Sequence, residues 1–118
     1  MSQTFRQLQV WQRSKKLAVE IYRFTGCAPL SADFGLRDQL RRAAVSVCSN
    51  IAEGDARQTD KELVQFFYIA KGSLAEISAQ LEIAADVHSL DQTQIASLLK
   101  ECDELSAMLL SLIHHRRA

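Results

Sequence analysis

A chain of 118 residues is long enough to bury one hydrophobic core and too short for a second independent one, so a single domain over residues 1–118 is expected. Hydrophobic residues make up 47% and charged residues 24%, with four glycines and one proline, a balance that excludes a disordered chain and leaves room for few breaks. Formal net charge is zero, yet residues 1–71 hold 11 Lys+Arg against 7 Asp+Glu and residues 72–118 hold 3 against 7, a polarity that suits either an anionic partner on one surface or self-association of opposite faces.

The first segment is predicted as a helix from about Phe5 to Thr25. Thr4 and Gln7 have the spacing of a capping box, in which a hydroxyl and a side-chain amide satisfy two backbone donors at the helix start. Leu8, Trp11, Ala18, Ile21 and Thr25 form one inward line, and Val10, Leu17 and Phe24 recur at intervals of seven beside it. The run GCAPLSADFG breaks the helix, because proline disfavours helix in the residue before it and glycine relaxes the backbone. A second helix is predicted from about Phe34 to Glu53 through Leu36, Leu40, Ala43, Val47 and Ile51, with Gly54 placed for a left-handed C-terminal cap.

After GDARQ, Thr59 and Glu62 make a second capping box. The third and longest helix continues through Leu63, Phe66, Phe67, Ala70, Leu74, Ile77, Leu81 and Ala84 to about Val87. Ser89 or Asp91 is expected to cap the fourth, whose Ile95, Leu98, Leu99, Cys102, Leu105, Leu109, Leu112 and Ile113 keep the period until HHRRA, read as a frayed polar tail. Strand-like alternation is absent. The fold class is therefore all-α, an antiparallel up-and-down four-helix bundle.

No apolar run approaches the roughly 18 residues that span a bilayer. The opening MSQTFRQLQVWQRSKK lacks the apolar core of a signal peptide, which implies a cytoplasmic protein. Cys27, Cys48 and Cys102 are odd in number and lack metal or redox spacing, so they read as small apolar side chains kept reduced, with neither zinc nor a disulfide framework.

On the second helix Gln39, Arg42, Ser46, Asn50 and Glu53 follow spacings of 3, 4, 4 and 3, a polar row beside the apolar line. On the third, Ser73, Glu76 and Gln80 repeat the arrangement beside Gly72, whose missing side chain leaves room for another backbone. Such rows either pair with each other or face water, or they form a specific protomer interface or ligand site, where a buried polar row fixes register and oligomer state.

The run QLRRAAVSVCSNIAEG from Gln39 to Gly54, preceded by FRQLQVWQRSKKLAVEIYRFT and followed by KELVQFFYIAKGSLAEISAQLE, resembles the four-helix-bundle family encoded by intervening sequences in bacterial large-subunit rRNA genes. The accessory variability protein of diversity-generating retroelements is part of that resemblance. It implies a homopentameric ring with a central channel and, in the retroelement branch, a basic ring that binds nucleic acid and a reverse transcriptase. The family signature falls on Arg42, Ser46, Ser49, Asn50, Ile51, Ala52, Glu53 and Gly54, with Gly72, Ser73 and Glu76 in the third helix. Cys48 stands where that family commonly has proline; restoring a backbone donor there is expected to straighten the helix.

The cations offer a face for RNA or DNA. Arg13, Lys16 and Arg23 share one side of the first helix, Arg37 and Arg41 lie one turn apart on the second, and Arg57 and Lys61 follow at the turn. The competing reading pairs them with Glu20, Asp38 and Asp60, and Asp38 with Arg42 is an i,i+4 pair. A near-neutral pI also weighs against a dedicated nucleic-acid domain.

Catalytic constellations are missing. No Glu-x-x-His pair precedes His88, His114 or His115, no arginine stands five to seven residues before any of them, and no phosphate loop or nucleophile elbow is present. Glu53 and Glu76 are the one conceivable acid/base pair across helices, and structural carboxylates are the commoner reading. The sequence thus points to a non-enzymatic oligomeric scaffold or accessory protein that binds nucleic acid through basic residues, without a cofactor. The alternative is a purely structural or protein-binding homo-oligomer.

Overall fold

The computed structural model describes residues 4–117. Among them four helices carry the fold: α1 (Gln9–Thr25), α2 (Phe34–Asp55), α3 (Asp60–His88) and α4 (Gln92–Arg117), with short 3-10 turns at Phe5–Gln7 and Leu30–Ala32 and no strand. No helix among the described residues is long and apolar enough to cross a membrane.

Local chemistry starts and stops these helices, in three places differently from expectation. Thr59 caps α3, its hydroxyl accepting from the Glu62 amide at 3.2 Å, and Asp33 caps α2 by accepting from the Leu36 amide at 3.2 Å. Thr4 makes no such side-chain bond, so the Thr4–Gln7 box does not form. Instead Phe5 folds back edge-on against Trp11 at 4.8 Å, the entry is a 3-10 turn, and α1 begins four residues later than predicted.

Gly54 is not a left-handed cap. α2 runs past it to Asp55 and no glycine has a positive φ. Gly54 is buried where a Cβ would stand 3.0 Å from Phe66 Cβ and 3.1 Å from the Phe67 ring, so its bareness admits α3 rather than a turn. The left-handed residue is Ser89 (φ 52°), which ends α3, while Asp91 Oδ1 accepts from the Thr93 amide at the start of α4. At the other end α4 is helical through Arg117 rather than ending at His114, and Arg116 reaches Asp60 at 3.2 Å.

Consecutive helices are antiparallel. Residues 46 and 73, then 33 and 88, pair across α2 and α3, and Arg13 meets Glu101 while Arg116 meets Asp60. One continuous core joins all four helices through Leu17, Ile21, Leu40, Val47, Leu74 and Leu105, all essentially unexposed. Each side chain of that size contributes roughly 1.5–3 kcal/mol relative to exposure. Buried Ser14 and Thr25 are satisfied locally, each donating to the carbonyl four residues back, at 2.7 and 2.6 Å. α2 is unbroken through Cys48, as expected of a residue that keeps its backbone donor.

Candidate functional site

The two polar rows meet in a single layer. Asn50 Nδ2 donates to the Ser46 carbonyl at 2.8 Å and to Ser46 Oγ at 3.0 Å, and Ser73 Oγ donates to Ser46 Oγ at 2.9 Å. This cluster is closed within one protomer. Of the other row members, Gln39, Arg42 and Glu76 are exposed, as is Ser49 beside them, Glu53 turns to Arg57 at 2.7 Å, and Gln80 keeps its Oε1 buried without a hydrogen-bond partner among the described residues. Glu53 and Glu76 therefore lie to opposite sides of the Ser46–Ser73 layer and form no acid/base pair. Asp38 likewise takes Arg37, at 3.0 Å, and not Arg42. Gly72 is exposed, with nothing within 4 Å of where a Cβ would stand, so it admits no backbone of its own chain.

Four of the seven candidate cations have partners within the chain. Arg13 is forked onto Glu101 (3.1 and 2.5 Å), within 3.8 Å of Glu104, and those contacts raise its pKa further above the ordinary arginine value. Arg37 also reaches the Ser31 carbonyl and lies over the Phe34 ring. Arg41 donates to Thr25 Oγ1 at 2.8 Å and to the Tyr22 carbonyl, its guanidinium 4.6 Å from the Tyr22 ring centre. Arg57 adds a stack on Phe66 to its Glu53 bond. These four side chains have intramolecular partners while staying part-exposed. Lys16, Arg23 and Lys61 are exposed without such a bond; Lys16 lies beside the Arg13–Glu101 fork, Arg23 near the α1 C-terminus and Lys61 at the α3 start.

Apolar side chains also reach the surface. A groove of about 560 Å³ runs between α1 and α2 over Trp11, Ala18, Val19, Tyr22, Val45 and Cys48, with Lys15 and Arg23 on its rim. Val19, Tyr22 and Val45 are 40–44% exposed, and on α3 Ile69, Ile83 and Val87 are 51–62% exposed. Their signal in the sequence was present: all six fall off the apolar lines that define the core. A second hollow, about 600 Å³, lies at one end of the bundle between Phe24, Pro29 and Leu90, with Glu20, Arg23 and Asp91 at its edge.

Burial pushes the Cys48 and Cys102 thiols up to about 11, which keeps them protonated and poor nucleophiles; Cys27 is exposed.

Residues 6–111 match the family described as 23S rRNA-intervening sequence protein. Among solved structures, the fold is similar to the crystal structure of a protein with unknown function from the S23 ribosomal protein family of Bacteroides thetaiotaomicron, 24% identical, covering 88% of this chain and 97% of that one with a TM-score of 0.80. No curated protein matches the chain.

Proposed function

The chain belongs to the 23S rRNA-intervening sequence protein family, and from that premise we propose that it is a non-enzymatic scaffold whose copies assemble into a closed ring and hold nucleic acid on their basic side chains. Uncovered apolar surface carries this reading. A bundle whose core is already closed still exposes Val19, Tyr22 and Val45 on one side and Ile69, Ile83 and Val87 on another, the pattern of surfaces that another protein surface covers. Five copies is the number that the family resemblance implies. Lys16, Arg23 and Lys61, free of ion pairs, are the cations left for phosphate, and a ring repeats them around its axis.

Light scattering and fluorescence anisotropy with labelled structured RNA and duplex DNA test the two halves of this function. A multimer whose affinity falls steeply between about 50 and 200 mM salt supports it, because each phosphate contact releases counterions. A multimer without binding at low salt favours a second reading, a ring that engages only protein. The commitment of Arg13, Arg37, Arg41 and Arg57 to intramolecular contacts speaks for that alternative. A monomer removes both.

A further inference from the structure

We propose that the groove between α1 and α2 of one copy receives the outer face of α3 from the next, so that copies join head to tail. The inference rests on the assembly proposed above and names its two surfaces.

Charge selects the pairing. The groove carries Lys15 and Arg23 at its rim and no carboxylate among its lining residues. From Gly72 to Val87, α3 carries Glu76, Glu82 and Asp86, all exposed, and no lysine or arginine. Lys71, the last cation on α3, is bound to Ser106 Oγ at 2.7 Å on the α4 side. A groove set against a second groove opposes like cations, and an α3 face set against another opposes like carboxylates, so a two-fold contact through either surface is disfavoured and the mixed contact favoured.

Shape agrees with charge. Ile69, Glu76 and Ile83 are seven residues apart and share one edge of α3, beside Gly72 and Ala79, both small and exposed. Two exposed isoleucines flank Glu76 along this edge, so the ridge presents apolar side chains to a groove lined by Ala18, Val19 and Val45 and a carboxylate to its Lys15 and Arg23. The two surfaces also stand apart: α1 and α3 each pack on α2 and α4 and occupy opposite corners of the bundle. A contact between different surfaces of identical chains is heterologous, and it closes a ring when its rotation allows. Arg23 then contributes to the joint, leaving Lys16 and Lys61 for phosphate.

Disulfide trapping in a Cys27→Ser, Cys48→Ala background tests the pairing, with single cysteines placed by Val19→Cys or Val45→Cys in the groove and Ile69→Cys or Ile83→Cys on α3. Groove and α3 variants are co-expressed pairwise and oxidised. At least one groove–α3 combination is expected to cross-link, and no variant expressed alone. Cross-linking of a variant with itself, or an assembled protein in which all four mixed pairs fail, overturns the head-to-tail pairing while leaving assembly intact. A monomeric wild-type chain by light scattering overturns the assembly reading itself. As a second measurement, Lys15→Glu with Arg23→Glu is expected to raise the concentration needed for assembly about tenfold or more, and Glu82→Lys with Asp86→Lys in the same chain is expected to recover it. No change in either variant contradicts the charge argument.

Discussion

His88 Nε2 lies 2.8 Å from Asp33 Oδ2, so the last turn of α3 is tied to the carboxylate whose other oxygen caps α2. The contact with His88 first, and the Leu36 amide second, hold the Asp33 carboxyl below its ordinary 3.8. A lowered folded value means that folding favours the ionised form. The resulting stabilisation is complete above about pH 4 and disappears as the pH falls through the folded value. Asp33→Asn keeps an oxygen for the cap but cannot ionise. Its melting temperature is expected to lie below wild type at about pH 6 and to converge with it near pH 2. A gap of constant size across that range contradicts the assignment.

Gly54 and Ser89 exchange the roles their residue types suggest. Gly54→Ala places a methyl group against Phe66 and Phe67, where overpacking costs about 1–3 kcal/mol and outweighs the roughly 1 kcal/mol gained in helix propensity. Ser89→Gly relieves a left-handed serine and is expected to stabilise by about 1 kcal/mol. Urea denaturation of both variants checks the signs; a more stable Gly54→Ala protein means that α3 moves aside freely.

The fork between Arg13 and Glu101 joins α1 to α4, the sparsest seam between neighbouring helices of the bundle. Both side chains are part-exposed (36% and 24%), so a double-mutant cycle with Arg13→Ala and Glu101→Ala is expected to give a coupling of about 1 kcal/mol or less, shrinking with added salt. A coupling of zero at low salt assigns the pair no role in holding α1.

Ser46 receives bonds from both Asn50 and Ser73. Asn50→Ala and Ser73→Ala are each expected to cost about 0.5–1.5 kcal/mol, with a non-additive double variant because they share one acceptor. The cluster is closed within one chain, so the mass of the proposed assembly is expected to stay unchanged at native concentrations. Dissociation of Asn50→Ala without a fall in protomer stability reassigns the cluster to the interface.

The cysteines are expected to separate by reactivity. At about pH 8 a thiol reagent labels exposed Cys27 fastest in the native protein, half-buried Cys48 in the groove, its thiol held near 11, more slowly, and buried Cys102 only after unfolding. Fast native labelling of Cys102 shows that the core opens there.

The helices, most of their limits and the buried faces followed from the sequence, because an apolar residue every three or four positions is a local property that any helix carries onto one side. Leu17, Leu40, Leu74 and Leu105 were legible in that way. Partner choice was not: Arg13 finds Glu101 across 88 positions and Asp33 finds His88 across 55, distances at which spacing says nothing. Seven cations were candidates for phosphate on the sequence, and only helix packing shows that four of them, still part-exposed, also meet partners within the chain. Gly54 looked like a left-handed helix cap, whereas packing sets α3 against it, and Val19, Val45 and Ile83 were visible as apolar residues off the core lines. Their exposure depends on how many helices surround each one, and tertiary packing alone sets that number.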